Sequence, residues 1–151
     1  MSKYLLILVL WFSAIIANGQ STDEAGIKEA INNLFDGMRK SDAALIQSAF
    51  TETAVLQTIK KNKEGKLIVQ NENLADFVTA VTKPHAEVYD ERIVFETIKI
   101  DGPLASVWTP YKFFIGAAFS HCGVDSYQLV KIDGKWKIQY LIDTRRKEGC
   151  E

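Results

Sequence analysis

An Asp-Gly pair, Asp133 and Gly134, set between two alternating apolar runs, constrains this chain more than any other feature. Both residues tolerate the positive φ that a two-residue type I′ turn demands, so the pair predicts a tight β-hairpin. The reversal sets a register: Ile132 faces Lys135, and pairing runs outward through Leu129 with Ile138, Tyr127 with Tyr140 and Asp125 with Ile142. Side chains alternate faces with period two. One face therefore carries Trp136, Ile138, Tyr140 and Ile142 beside Leu129, Tyr127, Asp125, Gly123 and His121. Near the turn that face is apolar and aromatic; farther out it gains a histidine and a carboxylate. Burying either without a partner is costly, so the polar end is where function is expected.

The preceding strands, residues 104–114 and 120–132, extend the same face. With Phe113 opposite His121, Tyr111 neighbours Gly123 and Thr109 neighbours Asp125. The candidate catalytic pair is His121 and Asp125; the candidate ligand-binding residues are Tyr111, Thr109, Phe113, Tyr127, Tyr140 and Trp136. Histidine titrates near neutrality, a carboxylate four residues on can hold its tautomer or act as a base, and tyrosine hydroxyls can stabilise an oxyanion. The same groups can also serve passive ligand recognition, or simply satisfy one another at a buried polar end. Gly123 leaves room between the polar groups. Alternation puts Asp143 and Arg145 on the opposite face as an outer ion pair, which a bulge would reverse, and Glu91 reads as an exposed partner of Arg92 or a lysine, the alternative being that the bent strand carries it to the pocket mouth.

Upstream, Ser21 and Glu24 are spaced as a capping box, opening a helix whose Ile27, Ala30, Ile31, Leu34, Phe35 and Met38 recur at three and four. Ser41 reads as the cap of a second, shorter helix over residues 42–49. Residues 54–59 and 67–70 read as short strands around a polar turn. Asn71 then opens a third helix carrying Leu74, Phe77, Val78 and Val81, which Pro84 stops. Residues 88–100 read as one long strand with a bulge near residues 92–94, turned by Asp101 and Gly102 into the next. Two helices, a small hairpin, a helix and a meander of long strands predict an α+β fold, a curved antiparallel sheet wrapped around N-terminal helices.

The chain's 151 residues, 47% hydrophobic and 25% charged with a formal net charge of −1, suit one globular domain. Basic residues collect only around Lys60, Lys61, Lys63 and Lys66 and at Arg145, Arg146 and Lys147, so nucleic acid is not an expected partner. Two distant histidines and two cysteines lack ligand spacing, and neither metal nor cofactor is expected. Residues 1–19 are of different character: Lys3 precedes an apolar run over residues 5–17, and Ala17 and Gly19 place small residues ahead of a cut before Gln20. The run is short of the roughly 18 to 20 residues a membrane span needs. The expectation is a cleaved export signal, then a single domain over residues 20–151, periplasmic or secreted and without membrane attachment after cleavage. In an oxidising compartment Cys122 and Cys150 can pair, since the register sets Cys122 opposite Arg145 and a tail folding back brings Cys150 near; the alternative is one packed thiol and one loose.

The helix pair, short strands, third helix and four-strand finish resemble the nuclear transport factor 2-like (NTF2-like) superfamily, the cystatin-like cone shared by ketosteroid isomerase, scytalone dehydratase and SnoaL-type cyclases. The run through Trp108, Tyr111, His121-Cys122-Gly123, Asp125 and Asp133-Gly134-Lys135-Trp136-Lys137-Ile138 is similar to an exported bacterial branch labelled "putative lumazine-binding". The resemblance implies a pocket between concave sheet and helices, and dimerisation through the convex face. No residue maps onto the catalytic positions of those enzymes. The leading expectation is an exported domain binding a small, partly apolar molecule in an aromatic-lined pocket. The alternatives are an isomerase or lyase using His121 and Asp125 for proton transfer, and a non-catalytic dimeric interaction module. The outward set, Val124, Ser126, Gln128, Val130, Gln139 and Leu141, is more apolar than a free surface needs. Light scattering at micromolar concentration is expected to give the mass of a homodimer; a monomer mass counts against that surface as an interface.

Overall fold

In the computed structural model the backbone is described for residues 2–150 and the side chains for residues 21–150. Three helices, α1 (Ser2–Lys40), α2 (Ala43–Ala49) and α3 (Leu74–Thr82), pack on one side of a seven-stranded sheet. Its strands are β1 (Phe50–Lys61), β2 (Leu67–Glu72), β3 (Tyr89–Ile93), β4 (Thr97–Asp101), β5 (Leu104–Ile115), β6 (Ala118–Ile132) and β7 (Lys135–Thr144). They lie in the order β2-β1-β7-β6-β5-β3, with β4 also paired to β5. The fold is the expected α+β cone, with one refinement: β1 and β7 run parallel, so the sheet is mixed.

The helical stripe read from spacing is the core. Ile27, Ala30, Ile31, Leu34, Phe35 and Met38 of α1 are all buried, against Ile46, Leu129, Trp136 and Ile138. Three local readings change. The helix runs through Ser21 without interruption, so that residue does not begin it; the signal reading itself falls on side chains outside those described. Ser41 ends α1 in place of starting α2: at φ 54° it closes a Schellman motif, Ser41 N–H to Met38 O and Asp42 N–H to Gly37 O, and Asp42 caps α2 through Leu45 N–H. Asn73, not Asn71, caps α3. The long strand read over residues 88–100 is broken at residues 94–96 into β3 and β4, both lying on β5.

The Asp133-Gly134 turn has both φ values positive, 50° and 77°, and Ile132 pairs with Lys135. Leu129 pairs with Ile138 as expected. Beyond that point the register slips by one residue: Gln128 meets Tyr140, Tyr127 meets Leu141 and Asp125 meets Asp143. Gln139 is the unpaired residue of a β-bulge. Its side chain accepts a hydrogen bond from the Thr51 hydroxyl at 2.8 Å and donates to Thr53 O at 3.1 Å, filling the gap where β1 is itself irregular between Phe50 and Val55. A one-residue slip exchanges faces. Leu141 and Asp143 therefore point inward, while Tyr140 and Ile142 point out.

The same slip moves the partner of Cys122 from Arg145 to Arg146, the two exchanging backbone hydrogen bonds of 2.9 Å. The tail then curls back, and Cys150 is disulfide-bonded to Cys122 with Cα atoms 5.8 Å apart. Closing a loop of 28 residues contributes about 3.6 kcal/mol. Gly123 lets the tail lie this close, because a Cβ there would stand 1.7 Å from Thr144 O. Gly123→Ala is expected to lower stability by about 1–3 kcal/mol in urea unfolding. Ser126→Ala, on the outer face of the same strand, is expected to stay within about 0.5 kcal/mol.

Candidate functional site

The concave face and the helices enclose a cavity of about 270 Å³. Its apolar wall comes from Leu34, Phe35 and Met38 of α1 and from Phe77 and Val81 of α3. Across from them β5, β6 and β7 supply Tyr111, Phe113, His121, Asp125, Tyr127, Leu141 and Asp143, while β3 adds Glu91 and the tail adds Arg145. The pairings Tyr111–Gly123, Phe113–His121 and Thr109–Asp125 put these inward-pointing residues side by side. The polar floor has two centres. Asp125 Oδ2 accepts from the Thr109 and Tyr127 hydroxyls at 3.2 and 3.1 Å, and the Glu91 carboxyl stands beside it. Asp143 accepts from the Thr58 hydroxyl at 2.6 Å, from Arg145 Nε at 2.9 Å and from the Tyr111 hydroxyl at 3.3 Å. Among the described residues no three acidic, histidine or cysteine side chains are grouped so as to hold a metal ion.

Burial pushes the Asp125 carboxyl up to about 7, helped by the charge of Asp143, while the hydroxyls of Tyr127 and Thr109 pull the other way. Burial also raises Glu91 well above the usual carboxylate range, as do the charges of Asp125 and Asp143. Both carboxyls thus hold their protons more tightly than a free carboxylate, and because each feels the other they titrate as a pair. His121 is lowered by burial and by Arg145, which keeps its imidazole neutral. Burial raises both Tyr111 and Tyr127, leaving them as hydroxyl donors. Arg145 holds its charge against burial through its bond to Asp143.

Residues 22–140 match the model of the family described as "Putative lumazine-binding". The chain belongs to this family. No curated protein matches the sequence. Among solved structures it is similar to an NTF2-like protein of unknown function from Shewanella baltica (17% identity, 85% of this chain and 97% of that one, TM-score 0.65). It is also similar to an NTF2-like protein with a cystatin-like fold from Novosphingobium aromaticivorans (10% identity, 90% and 89%, TM-score 0.73). A Nostoc punctiforme domain of unknown function with a cystatin-like fold aligns at 16% identity over 83% and 78%, TM-score 0.62. At these identities the likeness is one of fold.

In this "Putative lumazine-binding" chain, the sequence places His121, Asp125, Tyr111, Phe113 and Tyr127 on the cavity wall, with Thr109 directly behind Asp125. Two candidates lie elsewhere. Tyr140 is turned outward by the bulge and donates to Gln57 Oε1 at 2.6 Å. Trp136 faces inward but at the hairpin end, packed on Gly26 with its indole N–H on Asp23 at 3.0 Å, so it does not wall the cavity. His121 and Asp125 do not touch: the imidazole Nδ1 meets the Ser120 hydroxyl at 3.0 Å, and the ring packs on Phe113 with centroids 5.0 Å apart. The outer ion pair Asp143–Arg145 is instead an inner one, at 2.9 Å. Glu91 faces Asp125, and Arg92 pairs with Asp90. Register could have found Glu91, because its partner Phe113 faces inward; the bulge behind Asp143 and Arg145 had no local signal.

A carboxyl whose folded pKa stands above its unfolded value binds its proton more tightly when folded. Stability from Asp125 is therefore present in acid and lost as pH rises from its ordinary 3.8 through about 7. Carbon-detected NMR of the Asp125 carboxyl is expected to show a midpoint near 7, and Asp143→Asn to move that midpoint down. A midpoint near 4 would refute the proposed burial of that group.

Proposed function

We propose that this protein binds a small, partly apolar molecule in the cavity between the helices and the concave sheet. The observation that carries the reading is the division of the cavity: apolar walls from two helices, and a polar floor where the Asp125 and Glu91 carboxyls stand side by side. Ligand sites combine a mostly apolar lining with a few convergent polar groups, and the usual range of about 300–1,000 Å³ makes this one suited to a ligand of modest size. The family description names lumazine, a flat heteroaromatic bicycle, which is of that kind.

A second reading is proton transfer in an isomerase or lyase. What favours it is a buried carboxyl brought to about 7, where a general base works best at neutral pH. The acid–base pair would then be Asp125 with Glu91, because His121 stands apart from Asp125. We propose further that residues 1–19 are a cleaved export signal, which fits the Cys122–Cys150 disulfide. We also propose that the outer sheet face, with Trp108 45% and Val55 44% exposed, joins two copies.

Titration calorimetry with lumazine tests the binding reading. Saturable binding is expected for the wild type and is expected to be lost in Ala80→Trp, which blocks the cavity from an exposed position on α3 without disturbing the melting temperature. No binding, together with no small molecule released from denatured native protein, would remove the reading.

A further inference from the structure

The hydrogen bonds of the cavity floor are unevenly spent. The Thr109 and Tyr127 hydroxyl protons go to Asp125, the Thr58 proton goes to Asp143, and Tyr111 donates to Thr144 O at 2.9 Å and to Asp143. Arg145 directs Nε to Asp143 and Nη2 to the Thr58 oxygen at 3.2 Å. The hydroxyl protons of the floor are thus turned onto the protein's own acceptors. The hydroxyl bonds to Asp125 both fall on Oδ2, which leaves the other oxygen and the Glu91 carboxyl as the polar face offered to an incoming molecule. That face is mainly accepting.

Charge leads the same way. Arg145 is the one cation lining the cavity among the described residues, and Asp143 neutralises it. Of the other ionisable groups on the lining, Glu72, Glu91 and Asp125 are carboxyls and His121 is held neutral, so acids outnumber cations around the cavity. An anion entering here would meet like charge inside an apolar enclosure, where screening is weak. Phe35, Phe77, Tyr89 and Phe113 line the remaining space with ring faces and edges, which suit a flat molecule.

Resting on the binding reading above, the geometry points to a ligand class: a flat, neutral or cationic ring that presents N–H donors to Glu91 and Asp125, with carboxylates and phosphates excluded. The cavity selects by what it lacks. A donor-bearing ring completes the accepting floor, whereas a ring without donors leaves buried acceptors unpaired.

Three bicyclic probes of similar size separate the possibilities by calorimetry on the full protein: aminobenzimidazole, which carries N–H donors; benzofuran, which carries none; and benzofuran carboxylate, an anion. The first is expected to bind about tenfold or more tighter than the second, and the third about tenfold or more weaker. Asp125→Asn, which puts an amide donor where the floor accepts, is expected to erase the preference for aminobenzimidazole and leave benzofuran within about twofold. Equal affinity of the first two probes for the wild type, or tightest binding of the anion, overturns the ligand class while leaving the cavity as a binding site. Absence of binding by all three, with the NMR signals of the Phe113 ring unmoved, overturns this inference and the binding reading together.

Discussion

One unpaired residue decides which side chains this protein turns toward its hollow. Gln139 bulges from β7, which lies between its hairpin partner β6 and its parallel neighbour β1, and its amide ties down Thr51 and Thr53 of β1. Without that bulge strict alternation would send Tyr140 and Ile142 inward and make the cavity wall aromatic and apolar. With it, Leu141 and Asp143 point inward, the tail arrives one residue later, and Arg145 follows Asp143 to the floor. The ionic half of the site is thus a consequence of backbone register, not of any local motif.

That floor is expensive to bury. Removing charged groups from water costs several kcal/mol each unless partners compensate, and here compensation is detailed: Asp143 takes three donors, and Asp125 takes two hydroxyls. Each hydrogen bond to a charged acceptor returns about 1.5–3 kcal/mol, which offsets the penalty without making the cluster a stabilising element. Asp125 still holds its proton to about 7, a sign that the compensation is incomplete. Carboxyls shifted in this way are common at functional sites.

The tail binds the site to the rest of the molecule. Thr144 lies on Gly123, the Tyr111 hydroxyl bonds its carbonyl at 2.9 Å, and the Cys122–Cys150 bond fastens the last turn to the central strand. Each of these contacts lies next to a cavity residue: Cys122 and Gly123 follow His121 along β6, and Thr144 separates Asp143 from Arg145. The covalent closure holds in place the backbone that presents the inner ion pair.

Much of this was legible in the residues alone. The apolar stripe of α1, the Asp133-Gly134 turn, the pairing of β5 with β6 and the α+β cone all follow from periodicity and turn chemistry, which are local and set within a few residues. So did the inward direction of His121, Asp125, Tyr111, Phe113 and Tyr127, because they precede the bulge or sit on strands that alternate without fault through them. What only the tertiary structure decided lies past Gln139: the parallel seam with β1, the exchange of Tyr140 for Asp143 and Leu141, and the meeting of Glu91 with Asp125. The physical reason is that alternation carries information only while the ladder is unbroken, and whether it breaks depends on a strand 86 to 88 residues away in the chain, whose hydrogen bonds no local pattern shows.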